Sequence, residues 1–426
     1  MGTRITLFAM LVAVCCLCSS AFPATYYVAP GGSDANPGTS SQPWATLQHA
    51  ADTMLPGDTT LVASGAYAGF RAETVGQAGA PITIAAAPGA AVLVNAPGPI
   101  CRHTSNIEVE NYDLRVQYWV IDGIESYNSA KYGIDIRNAD YITVQNCYTH
   151  NNASTGIFMA FANNATVQYN ETASNGEHGI YYSNSGDYPT IRGNNSHHNY
   201  ACGIHMNGDA SMGGDGTISY ALVEQNVLWE NGNGGGGSAI NCDGVTDSIF
   251  RNNLAYNNYA SGISLYAIDG AVGSSRNKVY NNTFYFPSGG RNVVNIPKSG
   301  KGRPSPTGNE IFNNVLYTGN TSKCSIWVYS TAALAGSNNN AVVDRFCADG
   351  KRTITFAAWR DRGFDAASFL ATPAQLFVDP ASSDFHLKTG SLAANTGATL
   401  AEVTNDFDGE SRPQGSAYDV GCYEDW

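Results

Sequence analysis

One short pattern recurs seven times through the middle of the chain and restricts what it can fold into. The copies read Tyr132-Gly133-Ile134-Asp135-Ile136, Thr155-Gly156-Ile157-Phe158-Met159, His178-Gly179-Ile180-Tyr181-Tyr182, Cys202-Gly203-Ile204-His205-Met206, Ser238-Ala239-Ile240-Asn241-Cys242, Ser261-Gly262-Ile263-Ser264-Leu265 and Val293-Val294-Asn295-Ile296. From Ile134 to Ile263 the isoleucines step by 23 or 24 residues, apart from one step of 36 between Ile204 and Ile240. A period of this size marks a solenoid. Each copy alternates apolar, variable, apolar, which is the two-residue period of a strand and not that of a helix. Leucine-rich repeats share the period but need a Leu ladder, which is absent here. A parallel β-helix remains.

Between these strands runs a second series, including Ile142-Thr143-Val144, Ala165-Thr166-Val167 and Ala221-Leu222-Val223, each followed by an Asn: Asn146, Asn170, Asn194, Asn226, Asn253, Asn282 and Asn314. Asn tolerates the left-handed turn conformation. Stacked in register, amides of successive coils can also bond one another and the turn backbone. The Asn richness therefore reads as structural, and sequons such as Asn170-Glu171-Thr172 as its by-products.

Residues 1–24 have the form of an export signal, with Arg4, an apolar run from Leu7 to Leu17 and small residues at Ser19-Ser20-Ala21. A secreted, periplasmic or cell-surface protein without a membrane span is expected. The remaining units are an N-terminal cap with first coils over 25–100, a β-helix core over 101–345 and C-terminal coils with a capping segment over 346–426. Trp44 to Met54 has helical apolar spacing stopped by Pro56-Gly57, and such a helix would plug the open end of the coil. Seven cysteines follow the signal, an odd number; Cys242 reads as a core residue, and Cys324 with Cys347 as the expected disulfide. A formal charge of -13 excludes nucleic acid as a partner, because that needs a basic surface. An acidic polysaccharide would need local cations or a bridging metal. A monomer is expected.

The opening segments Thr25-Tyr26-Tyr27-Val28 and Leu55-Pro56-Gly57-Asp58, with the closing Asp406-Phe407-Asp408-Gly409-Glu410-Ser411-Arg412-Pro413 and Tyr418-Asp419-Val420-Gly421, resemble those of secreted right-handed parallel β-helix proteins of the pectate-lyase-like superfamily, including family 9 polysaccharide lyases. The resemblance implies an all-β, single-stranded right-handed parallel β-helix. It also implies a lysine base beside calcium held by clustered aspartates. No Asp-Asp cluster of that kind is present, so no catalytic residue is carried over.

The 36-residue step inserts chain at 208–216 and at 232–237, on both sides of a strand, and extra loops on a rigid scaffold are where sites form. The outward columns of neighbouring strands read Asp135, Phe158, Tyr181, His205, Asn241, Ser264, Asn295 and Arg137, Ala160, Ser183, Asn207, Asp243, Tyr266, Pro297. Coils stack at roughly 4.8 Å. Removing the C5 proton of a uronate sugar needs a base and an offset for the adjacent carboxylate. Tyr181 and His205, with His178 beside them, are the expected acid and base. Asn207, Asn241, Arg137, Tyr266 and Lys298 are the expected substrate contacts. Asp209, Asp215 and Asp243 are the expected metal ligands, calcium being the metal. The leading function is a polysaccharide lyase, or a related C5 epimerase, acting on a uronate polymer. The alternatives are a glycoside hydrolase using two of the three aspartates, and a non-catalytic glycan binder with Phe158, Tyr181 and Tyr266 as stacking platforms.

Overall fold

The computed structural model describes residues 23–234 and 236–425. The expected export segment falls almost wholly outside the described residues. Three long sheets of twelve strands each run the length of the molecule, and each turn of chain contributes one strand to each sheet. The first sheet starts at Thr25–Val28 and ends at Leu334–Asn338; the second runs from Arg71–Ala72 through the repeated Gly-Ile strands; the third starts at Gly65–Tyr67 and ends at Phe369–Leu370. All pairings along the coil are parallel until Thr353–Ile354 closes the second sheet antiparallel to Phe346–Cys347. This is the parallel β-helix that the repeat demands. Among the described residues no helix is long and apolar enough to cross a membrane.

Alternation decides the core. Ile134, Ile157, Ile180, Ile204, Ile240 and Ile263 pair in register and are fully buried. Two positions on, Ile136, Met159, Tyr182, Met206, Cys242 and Leu265 are buried as well, while the residues between them point outward. A one-residue slip would turn every apolar side chain out, so this pattern alone fixes register.

The asparagines stack as ladders. Asn170, Asn194, Asn226, Asn253, Asn282 and Asn314 each donate Nδ2 to the amide oxygen of the next, at 2.9–3.1 Å, and the series ends at Asn340. The same oxygens also accept the preceding coil's backbone N–H. A second ladder joins Asn152, Asn175, Asn199, Asn231 and Asn258. Buried turn backbone is satisfied in this way without water. Asn146 is the exception in its series: it is exposed at φ 52°, and Cys147 takes the ladder position. Asn170, being buried, is not a modification site in the folded chain.

Leu47–Thr53 forms the expected N-terminal helix, capped by Thr46, whose side chain accepts from His49 N. Gln48 bonds both the N–H and the C=O of Arg71, so the helix covers the first edge of the second sheet. At the other end Phe356–Arg360 lays Trp359 on Phe346, ring centroids 5.1 Å apart. The last segment then turns back along the coil as a strap. A corner column of left-handed residues holds it: Gln225, Asn252, Asn281, Asn313 and Asn339 each donate a side-chain amide to strap carbonyls between residues 396 and 421. Arg412 pins the strap through a fully buried ion pair with Glu424. The expected disulfide is corrected: Cys324 and Cys347 are free thiols, as are the other five cysteines among the described residues. Both are buried where strands pack, with Cys347 Sγ turned to Asp349 Oδ1 at 3.6 Å.

Candidate active-site groove

Strand register lines up one outward column on the second sheet: Arg71, Glu108, Asp135, Phe158, Tyr181, His205, Asn241, Ser264, Asn295 and Trp327. Its first third is charged and closed. Arg71 lies buried against Glu73, Glu108 and Glu110; Glu108 also accepts the backbone N–H groups of Arg102 and His103. Asp135 accepts from Ser105 and Arg137, and burial pushes its carboxyl up to about 6. Arg137, expected at the substrate, is held instead by Asp135 and over the Phe158 ring at 4.6 Å. It sits three rungs from Asn207. These contacts bind the loop at 101–105 to the coil.

The middle third holds the residues expected to do chemistry. The rings of Tyr181 and His205 stack outward at 4.8 Å, and His178 packs edge-on against both. Cys202 N donates to His178 Nδ1 at 3.2 Å, and His178 Nε2 lies 3.2 Å from His205 Nδ1. Burial lowers His178 to about 4, so it is neutral, and with Nδ1 accepting, its proton is on Nε2. Burial, and after it His178, holds His205 well below its ordinary value, so it is neutral too, and Asn241 Nδ2 lies 3.5 Å from its Nε2. The backbone N–H of Cys202 thus sets the His178 tautomer. His205 is a neutral imidazole stacked on the Tyr181 ring, with Asn241 beside it. Burial also raises the Tyr181 phenol.

His178, Cys202 and His205 bring ligand atoms within 4.8 Å of one another. The lone pair that a metal would take on His178 Nε2 is the proton-bearing position of this relay, so the set does not fit a metal without breaking the Cys202 bond.

The last third opens into a cavity of about 360 Å³ lined by Asn241, Ser264, Tyr266, Arg291, Asn295 and Lys298 among others. Asn241 Nδ2 donates to the Tyr266 hydroxyl oxygen at 2.6 Å, which leaves the phenol's own proton free to point elsewhere. Burial and the nearby Asp243 push that phenol well above its ordinary value. Two cations and several amides on one ledge suit an anionic sugar. Sequence reasoning does not single out Arg291, Ser264 or Asn295, although Ser264 and Asn295 stand in the outward column; Arg291 lies in a turn with no periodicity to mark it.

The three aspartates expected to hold calcium do not converge among the described residues. The buried Asp243 carboxylate accepts backbone N–H from Ile268, Asp269 and Gly270 at 2.9–3.1 Å. Asp209 accepts from Ser211, and Asp215 from Thr217 N. All three shape loops, as short acidic side chains do in turns. The residues present do not fit the calcium site that the resemblance implies.

The family described as Pel9A-like, right-handed beta helix region matches residues 26–295, and the chain belongs to it. A crystal structure of pectate lyase Pel9A superposes with a TM-score of 0.65 over 95% of this chain and 97% of that one, at 18% identity. The complex of XylC with xylose reaches 0.52 over 93% and 98% at 10% identity, and a glycoside hydrolase 0.52 over 77% and 95% at 10%. At these identities the likeness is one of fold, and lyases and hydrolases share it. No curated protein matches the sequence. The right-handed β-helix that the resemblance implies is the fold of this chain.

Proposed function

We propose that this chain is an exported polysaccharide lyase acting on a uronate-containing polymer in the groove at Asn241 to Lys298. The observation that carries the reading is the pairing of Arg291 and Lys298 with the Asn241-bonded phenol of Tyr266 on one outward ledge. The cations and amides offset the uronate carboxylate, which favours the enolate-like state formed when C5 loses its proton. Tyr266, as phenolate stabilised by Asn241 N–H, takes that proton. The C5 electrons then form the C4–C5 double bond, and the same hydroxyl passes the proton to the departing O4. No water is consumed. His205, with Asn207 and the Tyr181 face, supports the sugar in the adjoining position.

Because burial raises the phenol, the rate should climb with pH into the alkaline range. The test is the Tyr266→Phe and Lys298→Ala pair, assayed on uronate polymers with and without chelator. Tyr266→Phe should cut kcat by about 10²-fold or more, and Lys298→Ala should act chiefly on KM. The reverse pattern would move the proton transfer to Lys298, the residue type that the resemblance implies. Full activity in both variants would refute the groove as the reaction centre.

A further inference from the structure

A second built site lies on a different face, where the strap crosses the first sheet. The outward ladder there reads Gln145, Gln168, Arg192, Glu224, Arg251 and Tyr280. Glu224, nearly buried, takes Arg192 on one carboxylate oxygen and Arg251 on the other, so two guanidiniums face one acid in a chain of charge -13. Both are held in fixed orientation and both reach solvent, with side chains 34% and 21% exposed.

The corner column beside them has one misfit. Where neighbouring coils place Asn, Gln or Gly at positive φ, this coil places Tyr169 at φ 56°, 55% exposed. The left-handed region is unfavourable for a bulky side chain. Its ring lies against Gly193, where a Cβ would come within 2.6 Å of two ring carbons. Glycine is therefore required for the ring to lie there. Tyr169 lines two adjoining cavities of about 240 and 530 Å³. The first has Arg192, Arg251, Asn252 and Asn405 in its walls; the second is faced by Val227 and by Phe407 of the strap, and the Asp408 at its rim is paired with His386.

We infer that this seam is a second carbohydrate site, holding one acidic sugar of a polysaccharide with its carboxylate on Arg192 and Arg251 and its ring on Tyr169. A planar guanidinium pair recognises a carboxylate in bidentate fashion, and an aromatic face takes the apolar side of a sugar ring. Tyr118, Tyr141, Tyr188 and Tyr220 also stand at positive φ and stack in pairs on one another, whereas Tyr169 lies over a glycine and faces the seam beside the two guanidiniums. The polymer class is that of the preceding section, but the seam stands on its own geometry and needs no activity in the groove. Its role is to hold the chain of a polymer whose other residues occupy the groove, which raises effective concentration there.

The test is calorimetric titration of the whole protein with tetragalacturonate, tetramannuronate and neutral xylotetraose. Two classes of site for an acidic tetramer are expected. Arg192→Gln and Tyr169→Ala should each weaken the seam class tenfold or more while leaving turnover of short substrate unchanged. Arg291→Ala should affect the other class alone. Glu224→Gln, which removes the internal competitor for both guanidiniums, should tighten the seam class severalfold, a gain that misfolding cannot produce. Unaltered binding in Arg192→Gln and Tyr169→Ala, equal binding of xylotetraose, or no second class with either uronate would overturn the proposal. Loss of groove activity with the seam class intact would count against the lyase reading only.

Discussion

Replacing Asn226 by Ala isolates what the buried amide ladder contributes. Its Oδ1 accepts from the backbone and side chain of Asn194, and its Nδ2 donates to Ile191 O and to Asn253 Oδ1, all at 2.9–3.0 Å. Truncation leaves the Asn194 backbone N–H buried without a partner and removes one of two bonds at Asn194 Nδ2, which keeps Val167 O, and one at the Ile191 carbonyl, which stays in the strand ladder. At about 1–3 kcal/mol for the orphaned N–H and about 0.5–1.5 kcal/mol for each lost bond, the cost is roughly 2–6 kcal/mol. That is a large fraction of the stability of many domains. Asn146→Gly is the control, since Asn146 is exposed and glycine keeps its left-handed backbone; it should stay within about 0.5 kcal/mol. Asn226→Asp keeps the acceptor but loses both donations and buries a charge, so it should be weaker at neutral pH than near pH 4, where a protonated carboxyl can donate once. Because coils of a solenoid can melt separately, denaturant curves should be followed by two probes together with amide exchange on coils either side. A cost below about 1 kcal/mol for Asn226→Ala, or one equal to that of Asn146→Gly, would refute the account of how the coils are held.

Other expectations follow from the same structure. Arg412→Ala strands Glu424 in a buried site and should cost about 3–5 kcal/mol, read as protease cleavage spreading through residues 396–425. His178 is lowered to about 4 from an unfolded value of 6.5, so the unfolded chain binds the extra proton first; stability should fall as pH drops from 6.5 toward 4, and His178→Gln should flatten that slope in thermal melts. Arg291→Ala should raise KM for a uronate substrate about tenfold while leaving kcat within a few-fold, measured at two ionic strengths because the effect is partly screened.

Much of the fold is legible in the amino-acid sequence because its physics is local and repeated. The Gly-Ile strands, the buried isoleucines and the Asn ladders each follow from a spacing of one coil. The N-terminal helix follows from Trp44 to Met54 and is slightly shorter, at Leu47–Thr53. The site is legible only in part. Columns place Tyr181 beside His205 and put Tyr266 near Asn241, since register is a matter of counting. Protonation is not countable: that His178 carries its proton on Nε2 depends on the Cys202 N–H behind it. Asp243 has the look of a ligand because its position faces outward, and the loop at 268–270 that folds over it leaves no trace in the strand pattern. The strap is hidden for a similar reason, because its partners lie up to 182 residues away.

The reaction itself is the most direct test. The purified chain should be mixed with a panel of uronate and neutral polysaccharides while unsaturated ends are followed by ultraviolet absorbance and reducing ends by a separate assay. The account predicts unsaturated ends in step with reducing ends from at least one uronate polymer, with a rate rising toward alkaline pH and lost in Tyr266→Phe. Reducing ends without unsaturation would mean hydrolysis, and cleavage of neither kind from any polymer would contradict a catalytic groove.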